Sequence, residues 1–138
     1  MQTSLGHLEL LVAPANLPFY RDLFAFLGWK TIFENEEMLG TGGTGDAKEG
    51  SLWFVAHVKE GVTNDYDGPG VNHVAIQAGS VTDVDSTVTY LQDSGVSALF
   101  ETPRHRPEFS QDPESTYYQV MFESPDRILF EVLYTGPK

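Results

Sequence analysis

Residues 117–134 read YYQVMFESPDRILFEVLY. Aromatic, β-branched and aliphatic residues alternate on both sides of Ser124-Pro125-Asp126, a turn sequence. They predict paired strands over 116–123 and 127–134. Successive side chains on a strand point to opposite faces. Leu129, Glu131 and Leu133 therefore share one face, and Ile128, Phe130, Val132 and Tyr134 share the other. The second set is bulkier and is expected to pack inward, which leaves Glu131 pointing away from it. A carboxylate there is either a solvated strand residue or a group with a partner.

The same question arises at His73, in GVNHVAIQA, residues 70–78. That run predicts a strand over 71–79, with His73, Ala75 and Gln77 opposite Val74 and Ile76. A helix should follow in SVTDVDSTVTYLQDSG, with Ser80 or Thr82 as N-cap. Val84, Val88 and Leu91 lie on one face of it, and Gly95 is its stop. Residues 96–102 read as strand and 103–115 as a polar loop. The first half follows the same plan. LGHLELLVA, residues 5–13, reads as a strand with His7, Glu9 and Leu11 opposite Leu8, Leu10 and Val12. Asn16 caps a helix with Pro18 in its first turn; Tyr20, Leu23 or Phe24, and Leu27 recur at helical spacing, and Gly28 ends it. Residues 29–36 and 51–58 read as strands. The glycine-rich stretch 40–50 lacks the GK[ST] ending of a phosphate loop and reads as a loop between strands. One unit is thus written twice in a single domain of residues 1–138. Module one spans about 5–58, the linker 59–70 and module two about 71–135.

Composition narrows the function. With 138 residues, 41% hydrophobic and 12% aromatic, the chain can bury a core. The absence of cysteine excludes disulfides, zinc–thiolate sites and thiol nucleophiles. A net charge of −12, from 8 basic and 20 acidic residues, argues against nucleic acid and anionic membranes as partners. No apolar run reaches membrane-spanning length, and MQTSLGHLEL lacks a signal-peptide pattern. A cytoplasmic location is expected.

Parity gives His7, His73 and Glu131 one property in common: each points away from the bulky face of its strand. Two histidines and a carboxylate form a recognised set for a divalent metal with open positions. Any one of them alone reads more readily as a satisfied or half-exposed strand residue than as a ligand. The repeat links the two histidines, because each opens its own copy of the unit.

HLELLV with FYRDLFAFLGWK in the first half, and NHVAIQ with YYQVMFESPDRILFEVLY in the second, resemble the vicinal oxygen chelate superfamily. It includes glyoxalase I, fosfomycin-resistance enzymes, extradiol dioxygenases and bleomycin-resistance proteins. The resemblance covers about 5–135. It implies an α+β fold of two βαβββ modules, whose curved mixed sheets form a metal-binding cup. It carries over His7, His73 and Glu131 as ligands of a divalent ion (zinc, nickel, manganese or iron), and a homodimer as the assembly. A fourth ligand in glyoxalase I aligns with Phe54, which cannot bind metal, so a three-ligand enzyme is the closer match. The implied function is a glyoxalase-like lyase, isomerase or transferase whose small substrate chelates the metal through adjacent oxygens. An extradiol-type Fe(II) dioxygenase and a bleomycin-resistance-like sequestering protein are the alternatives.

Other residues complete the expected site. Glu9 shares a face with His7 and could be a general base, a support for His7, or a solvated rim residue. Phe54, Gln77, Gln119 and Met121 should line the cup. Tyr117 or Tyr118 could donate to a substrate oxygen, although packing is the commoner fate of such a pair. Arg104, His105 and Arg106 form the dense positive patch of an acidic chain. They could clamp a substrate anion or simply balance nearby acids in a solvated loop. His57 falls on the face opposite Phe54 and reads as a surface residue unless a bulge turns it inward.

Overall fold

The structure, a computed structural model, describes residues 1–43 and 50–138. Residues 44–49 of the glycine-rich stretch lie outside the described residues. The described chain forms two compact units, Met1–Thr63 and Asn64–Lys138. Each is a βαβββ module, so the fold is α+β.

In module one, β1 (His7–Leu11) leads through a 3-10 turn at Pro14–Asn16 into α1 (Leu17–Phe26). Three strands follow: β2 (Lys30–Glu34), β3 (Met38–Gly42) and β4 (Ser51–Val55). Their order in the sheet is β1-β4-β3-β2, with β1 parallel to β4 and the other pairs antiparallel. β3 corrects the sequence reading, which assigned residues 40–42 to a loop. Glycine is a weak strand former, but both edges of β3 are satisfied, by β2 and by β4.

Module two repeats the order as β5-β8-β7-β6, from β5 (Val74–Gln77), α2 (Val81–Asp93), β6 (Leu99–His105), β7 (Ser115–Glu123) and β8 (Leu129–Pro137). β5 runs parallel to β8. β6 extends to His105 and so takes in the start of the expected loop. Its register shifts between Leu99 and Arg104, where Phe100 and Glu101 take positive φ.

The repeat reaches individual hydrogen bonds. Gly28 and Gly95 both take positive φ after their helices. Gly28 donates to Ala25 and Trp29 to Phe24, at 3.1 and 2.8 Å; Gly95 donates to Gln92 and Val96 to Leu91, again at 3.1 and 2.8 Å. These are two copies of the same helix-ending motif. Ser80 caps α2 by accepting from the Asp83 amide at 3.1 Å. Tyr20, Leu23 and Phe24 bury one face of α1, and Val84, Thr87 and Leu91 one face of α2. Phe130 and Val132 are buried in module two's core, while Leu129, Glu131 and Leu133 occupy the other face of β8.

Candidate functional site

The site grows from module two's sheet. Across it, Ala75 pairs with Glu131 and Glu131 with Met121; Gln77 pairs with Leu133 and Leu133 with Gln119. Paired residues share a face, so Tyr117, Gln119, Met121 and Glu131 project together. His73 lies one residue before β5 rather than inside it. Departure from regular strand lets Asn72 and His73 cooperate, although strict alternation would send them to opposite faces.

Their cooperation fixes a tautomer. The Asn72 side-chain nitrogen donates to the Tyr66 carbonyl at 2.8 Å, which turns Oδ1 toward His73 Nδ1 at 2.7 Å. Nδ1 therefore carries a hydrogen, and Nε2 is the nitrogen left to face the cavity. Nε2 lies 3.1 Å from Glu131 Oε2. Glu131 is 3% exposed. Its other oxygen, Oε1, accepts from the Tyr117 hydroxyl at 2.7 Å. With its amide oriented to satisfy both neighbours, Gln119 also donates to Oε1 and accepts from Arg106 Nη1 at 3.3 Å. Burial, then the bond to Glu131, pushes the Tyr117 hydroxyl well above its ordinary value, so it stays a donor.

A ring nitrogen and a carboxylate oxygen this close share a cation, either a proton or a metal. A separation of 3.1 Å is that of two ligands each about 2.1 Å from one ion at roughly a right angle. His73 and Glu131 thus fit as two ligands of a divalent ion. Among the described residues, no group of three or more His, Cys, Asp or Glu side chains gathers to hold a metal.

The pair opens into a cavity of about 650 Å³, to which Tyr66, Arg106, Phe109 and Met121 also contribute. The Arg106 guanidinium lies 4.6 Å above the Phe109 ring, which meets Tyr117 edge-on at 5.5 Å.

Several expected positions change. Arg104 is not on the cavity wall; it pairs with Glu101 at 3.5 Å, and Arg106 takes the place expected of it. Gln77 is exposed and outside the cavity lining; it donates to the Ala78 carbonyl at 3.1 Å. Tyr118 donates to Asp85 from the opposite sheet face, at 2.7 Å. Phe54 is a core residue, fully buried and stacked on Tyr20 at 4.3 Å. Its helix-facing side is fixed by pairing with Leu10, whereas Trp53 pairs with Glu9. Since Glu131 pairs with Ala75 as Trp53 pairs with Glu9, the module-one counterpart of Glu131 is Trp53 and not Phe54. His7 and Glu9 are exposed on β1. His57, beyond β4, forms a surface pair with Glu37 at 3.5 Å. Asn72, Tyr66 and Phe109 were missed, whereas Arg106 belonged to the expected positive patch. The one available signal was Asn72, a fixed amide directly before the candidate ligand.

Comparison with known proteins agrees with this architecture. Residues 4–132 match the family model described as Glyoxalase/Bleomycin resistance protein/Dioxygenase superfamily. A protein from Bacillus halodurans, provisionally described as a glyoxalase, is 25% identical with a TM-score of 0.76, and 96% of each chain is covered. A glyoxylase/bleomycin resistance protein/dioxygenase domain from Frankia sp. EAN1pec is 18% identical, with a TM-score of 0.63 over 99% of this chain and 94% of that one. The fosfomycin resistance protein FosX from Listeria monocytogenes is 20% identical, with a TM-score of 0.64 over 97% of this chain and 94% of that one. No match is found among curated proteins. No helix among the described residues is long and apolar enough to cross a membrane.

Proposed function

The chain belongs to the glyoxalase/bleomycin resistance protein/dioxygenase superfamily, and on that premise we propose that it is a metal-dependent enzyme acting on a small substrate that chelates through adjacent oxygens. His73 and Glu131 are ligands, with His7, from this chain or a second copy, as the third. The observation that carries this reading is His73 Nε2 set 3.1 Å from the buried Glu131 carboxylate, two metal-ligating atoms side by side. A divalent ion held there supplies Lewis acidity toward substrate oxygens.

The chain's own residues prepare that position. Asn72 holds the His73 proton on Nδ1. Tyr117 and Gln119 occupy Glu131 Oε1 and leave Oε2 for the ion. Because the Tyr117 hydroxyl is committed to Glu131, we assign it a positioning role. Glu9, on the same strand face as His7, is the candidate for proton transfer.

Metal analysis of tag-free protein tests the proposal. Wild-type protein should retain a divalent ion, and His73→Ala should not; equal content in the two rules the reading out. Oxygen uptake with catechols, on protein loaded anaerobically with Fe(II), would move the assignment to a dioxygenase.

A further inference from the structure

Arg106 is an unusual side chain to find on this wall. Among the described residues lining the cavity it is the one arginine or lysine, in a chain of net charge −12. It is also held in place. Its amide donates to the Tyr117 carbonyl at 2.7 Å, Nη1 meets Gln119, and the guanidinium rests on Phe109. With its backbone anchored, a planar fork held at Nη1 and against a ring face is prepared for a planar anion. Its present anionic partner is Glu108, through Nε. The Glu108 side chain is 53% exposed, so this is a solvent-facing pair that a ligand can replace. The hydrogen bond from Arg106 holds the Glu108 carboxyl below its usual range, so Glu108 remains an anion at neutral pH. Around the fork the wall is aromatic: Tyr66, Phe100, Phe109 and Tyr117 come from separate segments. Aromatic faces select planar, conjugated partners.

We propose that Arg106 is the anion-binding residue of this cavity, that its ligand is a small aromatic carboxylate, and that Glu108 occupies the guanidinium until that ligand displaces it. The proposal deepens the reading of the cavity as a substrate site and rests on it. It does not rest on the metal.

Calorimetric titration of the full chain, stripped of metal by chelator, with benzoate and with benzyl alcohol tests it. The two probes share a ring and differ in charge. Wild-type protein should prefer benzoate by roughly tenfold, since a charge-assisted bond contributes at least that much. Arg106→Gln should abolish the preference, and Arg106→Lys should keep part of it, which separates loss of charge from loss of fold. Glu108→Gln should strengthen benzoate binding several-fold and leave benzyl alcohol unchanged. Equal binding of the two probes, no binding of benzoate into the millimolar range, or a preference that survives Arg106→Gln overturns the proposal. Metal content measured on unstripped samples of the same preparations is the separate readout for the metal reading. Either result can fail without the other.

Discussion

Asn72 shows how much one side chain can decide. Its amide is oriented by the Tyr66 carbonyl, and its oxygen then fixes which nitrogen of His73 carries the proton. Without that bond the ring can turn or change tautomer, and Nε2 is no longer held toward Glu131. Groups that orient a ligand in this way typically contribute 10–100-fold to metal affinity. Asn72→Ala should therefore weaken divalent metal binding by about that factor while leaving the fold unchanged. Competition against a chromophoric chelator measures the first quantity and circular dichroism the second. Unaltered affinity would mean that the backbone alone holds His73. Alternation along a strand found His73 and Glu131, but it could not find Asn72. Alternation assumes regular strand, and residues 72 and 73 precede β5.

At the scale of elements, β1 pairing with β4 corrects the place of Phe54. From sequence alone, β4 is apolar on both faces, since Leu52, Trp53, Phe54 and Val55 are all hydrophobic. Parity then has no polar marker to fix it, and only the pairing of Leu10 with Phe54 and Glu9 with Trp53 does so. Trp53 lies flat over Gly40, where a Cβ would come within 2.5 Å of its ring. Phe54 instead fills the space under α1, against Tyr20 and Phe24. Phe54→Ala should accordingly cost about 3–5 kcal/mol of stability, the usual range for removing a buried aromatic ring. Urea denaturation gives that quantity, and benzoate titration of the folded variant should be unchanged. A small stability loss with altered ligand binding would return Phe54 to the site. By contrast, the helices, the Ser80 cap and the glycine stops were legible, because capping and termination are local chemistry; Asn16 precedes α1 without a side-chain capping bond, its backbone already helical. β3 was not, because its pairing with β2 and β4 lies outside any window of sequence.

For the whole molecule, duplication creates likeness and divergence gives the likeness a function. The two modules share strand order, parallel pairing and helix endings, yet their equivalent positions differ in chemistry. Where module two has Glu131, module one has Trp53; where module one has Glu9, module two has Ala75. A His–Glu pair of the His73–Glu131 type can therefore be built in one module only. If His7 completes the ligand set, the metal depends on both modules although the carboxylate comes from one. His7→Ala should then lose bound divalent metal as His73→Ala does. The double variant should lose no more than either single one, because residues acting as one unit are strongly non-additive. Elemental analysis of the three variants and the wild type decides it. Full metal content in His7→Ala, with loss in His73→Ala, would confine the centre to module two and leave His7 an exposed strand residue.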